Sequence, residues 1–144
     1  MTDPFNLQRF VDAQDRGGSY DEAVAELRAG CKRGHWMWWI FPQLRGLGRT
    51  ETSTRYGIAS RAEAIAYLEH DVLGPRLRHC AHLLTGLGAN SPELVLGGVD
   101  ALKLRSSMTL FAAVASDPDI FEKVLSQYYR GGRDSVTTAR LGDS

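Results

Sequence analysis

Apolar side chains recur at three- and four-residue spacing through most of this chain, and no run alternates apolar with polar residues between hairpin turns. Leu7, Phe10 and Val11 share a helical face behind Asp3-Pro4, a capping side chain followed by a proline suited to a first turn. Gly17-Gly18 stops that helix. Ser19 and Glu22 read as a capping box for the next one, where Tyr20, Ala23, Val24 and Leu27 form an apolar stripe ending near Gly30. Ser60 and Glu63 make a second capping box, for a helix continued by Ala62, Ile65, Ala66 and, more weakly, Glu69. Gly74-Pro75 opens a helix carrying Leu77, Cys80, Ala81 and Leu84 inward, and Ser91-Pro92-Glu93 starts a short one that reaches Leu96. Asp100 is the expected cap of a longer helix through Leu102, Met108, Leu110, Phe111 and Val114. Asp117-Pro118 precedes the stripe Ile120, Phe121, Val124, Leu125 and Tyr128, ended by Gly131-Gly132, and a last weak helix runs from Ser135 to Leu141. The pattern predicts an all-α single domain over residues 1–144, built from six to eight short helices.

One stretch breaks the periodicity. Residues 31–58 are punctuated by Pro42, Gly46, Gly48 and Gly57 too densely for a long element. All three tryptophans lie there, Trp36, Trp38 and Trp39, and they would point in several directions on either a helix or a strand. A segment of this kind must be wrapped on more than one side. It reads as the core anchor and the wall of a pocket, with a short helical turn around 36–41.

Charge sharpens that reading. The 17 cations and 17 acids of the 144 residues balance, so no overall field points to nucleic acid. The distribution is uneven, however. Residues 1–30 hold six acids against three arginines, whereas residues 31–60 hold five cations against one acid. The positive block therefore coincides with the tryptophans. No segment opens as a signal peptide or approaches a membrane span, and Cys31 and Cys80 are expected to be free thiols of a cytoplasmic protein.

Four constellations could carry chemistry. His35 beside the tryptophans is the candidate catalytic acid or base, against a purely structural histidine. Arg33 and Arg45, with Lys32 and Arg49 and the glycines at 46 and 48, suit an anion, and Trp36 or Trp38 could stack a flat ring. The competing picture is a solvated basic loop. Lys103 and Ser106 share a face of the helix 100–114 and would suit an anionic ligand, while Arg105 is expected on its buried side near the tryptophans. His79 and His82 stand one turn apart, but spacing supplies no third or fourth ligand, so no metal and no cofactor are assigned.

The segments Gln8–Gln14, His35–Trp38 with Ile40–Gln43, Gly46-Leu47-Gly48, Val72–Leu77 and Leu102–Phe111 resemble the bacterial domain-of-unknown-function family eighteen-ten. The resemblance covers nearly the whole chain. Trp39 departs from it, standing where many relatives carry phenylalanine. It implies a mainly helical fold and brings no activity or catalytic residue with it. A remote link to proteins of NAD and ADP-ribose metabolism is an analogy of fold only. The expected function is a small pocket protein for an anionic, flat ligand such as a nucleotide or ADP-ribose derivative, with His35 as the proton-transfer group if it is an enzyme. The alternative is a non-catalytic protein-interaction domain using the Trp/Arg patch. Neither nucleic acid nor membrane is an expected partner, and the sequence leaves the oligomeric state open.

Overall fold

The computed structural model describes residues 2–142. Helix dominates them: α1 (Gln8–Asp15), a 3-10 turn (Arg16–Gly18), α2 (Ser19–Ala29), α3 (Met37–Ile40), α4 (Glu51–Arg55), α5 (Arg61–Glu69), α6 (Leu73–Thr85), α7 (Pro92–Leu96), α8 (Gly98–Val114), α9 (Asp119–Tyr129) and α10 (Ser135–Gly142). The only extended pairing among the described residues is a parallel bridge between Leu44 and Ile58, which closes the base of the glycine-rich loop. The all-α expectation holds. The one-turn helices α3 and α4 add order inside the segment expected to be irregular.

α8 is the central element, packed against α5, α7, α9 and α10. An aromatic chain crosses the core. Phe10 meets Tyr67 edge-on at 5.1 Å, Tyr67 meets Phe111 at 5.4 Å, and Phe111 meets Phe121 at 5.9 Å. These four rings join α1, α5, α8 and α9, and such contacts add to burial through the ring quadrupole.

Several caps differ from expectation. Asp3 does cap, accepting from the Leu7 and Gln8 amides at 2.8 and 3.0 Å, but the helix begins only at Gln8. Asn6, at φ 51°, turns the chain between the two. Ser19 is not an N-cap: Gly18 precedes the helix with φ 72°, and the Ser19 hydroxyl accepts from Trp39 Nε1 instead. Ser60 caps α5, but the Glu63 carboxylate turns to Arg9 and to the Ala59 amide rather than closing a box. That rotation buries Glu63, Ala64 and Tyr67 and leaves Ile65 exposed. Asp100 lies inside α8, which starts at Gly98. Because α8 is surrounded on several sides, its apolar residues select no single face, and Leu102 is 68% exposed rather than inward.

Cys31 is exposed, Cys80 is buried, and neither is bridged. Burial, only partly offset by Arg76, pushes the Cys80 thiol up to about 12. A thiol reagent at neutral pH should therefore titrate one group in native buffer and two in denaturant. Two fast-reacting groups in the native protein would contradict this packing.

Candidate functional site

The tryptophan segment is held by an acid the sequence did not single out. Glu26, in the last turns of α2, accepts through one oxygen from the Arg33 amide (2.7 Å), the Gly34 amide (2.9 Å) and Trp36 Nε1 (3.0 Å). Trp36 is fully buried. Gly34 lies close against the Trp36 ring, since a Cβ there would fall 3.0 Å from Trp36 Cδ1. Trp39 is half-buried, with its indole N–H on Ser19 and its carbonyl accepting from Gln14 at 2.7 Å. Trp38 is the outward-facing member, and Lys103 Nζ stands 4.1 Å above its ring.

Lys103 belongs to a shared ion group. Asp100 takes Lys32 on one carboxylate oxygen at 2.8 Å and Lys103 on the other at 3.2 Å. Lys32 lies 5.1 Å from the Trp36 ring. Two lysines are thus oriented over two tryptophans by one carboxylate. Burial alone would raise the Asp100 pKa, but the two lysines outweigh it and hold the group below its ordinary value. Glu26 behaves alike: burial raises it, and the three N–H donors win. Ionisation of both acids therefore favours the folded state. That contribution is complete above the ordinary values, 3.8 for Asp and 4.5 for Glu, and disappears as pH falls through the lowered folded-state values. Urea midpoints should drop as pH is lowered from about 6 to about 3, and Asp100→Asn should flatten part of that slope. An unaltered slope in that variant would remove Asp100 from the explanation.

Trp38 and Lys103 open onto a groove of about 490 Å³, a volume in the range of small-molecule sites. The 43–50 segment forms one wall, α8 contributes Val99, Leu102, Lys103 and Ser106, and the start of α10 contributes Asp134 and Val136. Gly48 lets the loop lie against Trp38 and Ser53, as a Cβ there would come within 2.8 Å of Ser53. Gln43 lines the groove while only 7% exposed. Its carboxamide makes no hydrogen bond among the described residues. Ser106 donates back to the Leu102 carbonyl at 3.2 Å. Asp134 is committed to capping α10 through the Thr137 amide and hydroxyl. Arg49 lines the groove, exposed, and forms no ion pair among the described residues.

Of the residues expected to converge, Trp38, Lys103 and Ser106 come together. The others do not. His35 and Arg33 are exposed and do not line the groove. Trp36 is buried beneath Lys32 and offers no stacking face. Arg45 is exposed on the far strand of the loop, donating to the Thr54 carbonyl at 3.1 Å. Arg105 is half-buried as expected but turns away from the tryptophans. It donates to the Gly132 carbonyl at 2.9 Å and lies 5.8 Å from the Tyr129 ring. A helix places Arg105 about 200° from Lys103, so one ligand could not use both. Gln43 and the apolar rim were missed, because no periodicity marks a single polar residue after Phe41-Pro42. Among the described residues no group of three or more His, Cys, Asp or Glu could hold a metal ion. No helix among them is long and apolar enough to cross a membrane.

Residues 4–141 match the family model described as Protein of unknown function (DUF1810). The chain belongs to this family. The DUF1810 chain is also similar to the crystal structure of the conserved hypothetical protein Rv1873 from Mycobacterium tuberculosis. That likeness has a TM-score of 0.94 at 53% identity, over 97% of this chain and 99% of that one. Among curated proteins, none matches it. The solved relative shares the fold and the family description supplies no chemistry, so a reading of function rests on the groove.

Proposed function

We propose that this DUF1810 protein binds a small anionic ligand with a flat ring, of the nucleotide or ADP-ribose class, in the groove beside Trp38. The observation that carries the reading is Gln43. Its carboxamide borders the groove with no partner among the described residues, so its donor and acceptor are free to pair with a ligand edge that offers one acceptor and one donor. Heterocyclic bases present such edges to Gln side chains. Trp38 supplies an aromatic surface beside it, and Lys103 and Arg49 supply charge for the anion. The reading is of a binding protein. His35, the proton-transfer candidate, lies outside the groove, so nothing lining it supports an acid–base step. Two unbridged cysteines suit a reducing, cytoplasmic setting.

Thermal shift and calorimetry over AMP, ADP, ADP-ribose and adenosine test this. An anionic nucleotide should stabilise the protein saturably, and Gln43→Leu should weaken binding about tenfold, the equivalent of one neutral hydrogen-bond pair. Its effect on the stability of the unliganded protein should stay within about 1 kcal/mol, since the lost group had no partner. Absence of any nucleotide shift, or equal binding by Gln43→Leu, would refute the assignment.

One observation favours a second reading. Val99, Leu102 and Val136, three of the five exposed large hydrophobic residues among those described, all line this groove. Exposed apolar clusters of this kind mark protein contacts. In that case Leu102→Asp, not Gln43→Leu, would abolish association in sedimentation experiments.

A further inference from the structure

Arg45, named from sequence as an anion ligand beside the tryptophans, lies in a different place. It lines a small cleft with Arg61, at the start of α5, and Arg140, on α10. Leu44, Ala59, Ser60 and Leu141 complete the walls, none of them acidic and none shared with the groove. Each guanidinium is fixed by one N–H to a backbone carbonyl: Arg45 Nε to Thr54 (3.1 Å), Arg61 Nη2 to Leu141 (3.4 Å) and Arg140 Nη1 to Arg45 (3.1 Å). None of the three forms an ion pair among the described residues. Gly46, at φ 94°, makes room for the arrangement, because a Cβ there would sit 2.5 Å from Arg140 Nη1. Three like charges are therefore held around one cleft, and no carboxylate is among the described residues that line it. Positively lined concavities concentrate anions, and the planar guanidinium fork matches oxyanion geometry.

The cleft is about 90 Å³. That suits one tetrahedral oxyanion and is well below the roughly 300–1,000 Å³ of sites for drug-sized ligands. We propose that Arg45, Arg61 and Arg140 form an oxyanion site for phosphate or the terminal phosphoryl group of a monoester, independent of the groove at Trp38.

The test uses the full chain titrated with inorganic phosphate, with sodium chloride at matched ionic strength as control, followed by calorimetry and thermal shift. Phosphate should bind saturably where chloride does not. Arg61→Gln, which leaves the Arg140 strut on Arg45 intact, should weaken binding about tenfold for one lost charge-assisted pair. Arg140→Lys, which keeps the charge and loses the fork, should weaken it as well. Gln43→Leu should bind phosphate like the wild type, which separates this site from the groove. Phenyl phosphate assigns the source: tighter binding than inorganic phosphate marks a monoester site, weaker binding a site for the free ion, and either supports the proposal. Identical responses to phosphate and chloride would overturn it. So would an Arg61→Gln protein with undiminished affinity, or loss of phosphate binding in Gln43→Leu.

Discussion

Replacing Arg9 with alanine is expected to lower the unfolding free energy by about 3–5 kcal/mol, the range seen when one partner of a buried ion pair is removed. Arg9 Nη2 meets Glu63 Oε2 at 2.7 Å, with the two side chains 8% and 2% exposed. The rest of the guanidinium donates to the carbonyls of Phe5, Asn6, Arg55 and Gly57, and its plane lies 4.3 Å from the Phe10 ring. One side chain thus ties the start of α1 to the turn that enters α5. Without it, Glu63 keeps only the Ala59 amide while remaining inside the core. Two buried charges are individually expensive and jointly close to neutral. The double variant Arg9→Met/Glu63→Leu should therefore recover most of the loss. Urea melts of the three proteins check this, and a loss under about 1 kcal/mol in Arg9→Ala would show the pair to be solvated.

Arg9 also illustrates what was legible in the sequence and what was not. Helix existence was readable because Leu77, Cys80, Ala81 and Leu84, or Ile120, Phe121, Val124 and Leu125, repeat at the helical period with terminators around them. The faces of α5 and α8 were not. In α5 a long-range partner, Arg9, draws Glu63 inward and turns Ile65 out. In α8 nearly every side is covered, so apolar content carries no directional signal, and Leu102 was placed inward when it lines the groove. Local signals failed wherever a side chain answered a distant group. Ser19 had the look of a cap but serves Trp39, 20 residues on, and Asp100 had the look of a cap but serves two lysines. The candidate site followed the same rule. Trp38, Lys103 and Ser106, which line one groove, were singled out because a tryptophan run and a polar island in an apolar helix are visible locally. Gln43 was not, since nothing local shows that a lone polar residue after Phe41-Pro42 faces a groove. The basic block was read as one cluster, and its cations line two separate concavities, because the loop closed by the Leu44–Ile58 bridge sends Arg49 to one side and Arg45 to the other.

Trp36→Ala should cost about 3–5 kcal/mol, as for other large aromatic truncations in a close-packed core. Trp36 is the largest fully buried side chain, 6.4 Å from the Phe41 ring and beneath Lys32. Its removal leaves a cavity at the junction of α2, α3 and α8. It does not strand Glu26, which retains the Arg33 and Gly34 amides, so the cost comes mainly from packing. Trp36→Phe separates the terms: most of the ring stays, the N–H bond to Glu26 goes, and the loss should shrink to about 1–2 kcal/mol. Trp38→Ala provides the contrast. That side chain is half-buried and borders the groove, so its truncation should lower stability less than Trp36→Ala and weaken nucleotide binding more than Trp36→Phe does. Denaturant melts and calorimetry on the three variants decide the division of labour. If Trp38→Ala proves as destabilising as Trp36→Ala and leaves binding intact, both tryptophans are core anchors, and the groove loses its aromatic wall.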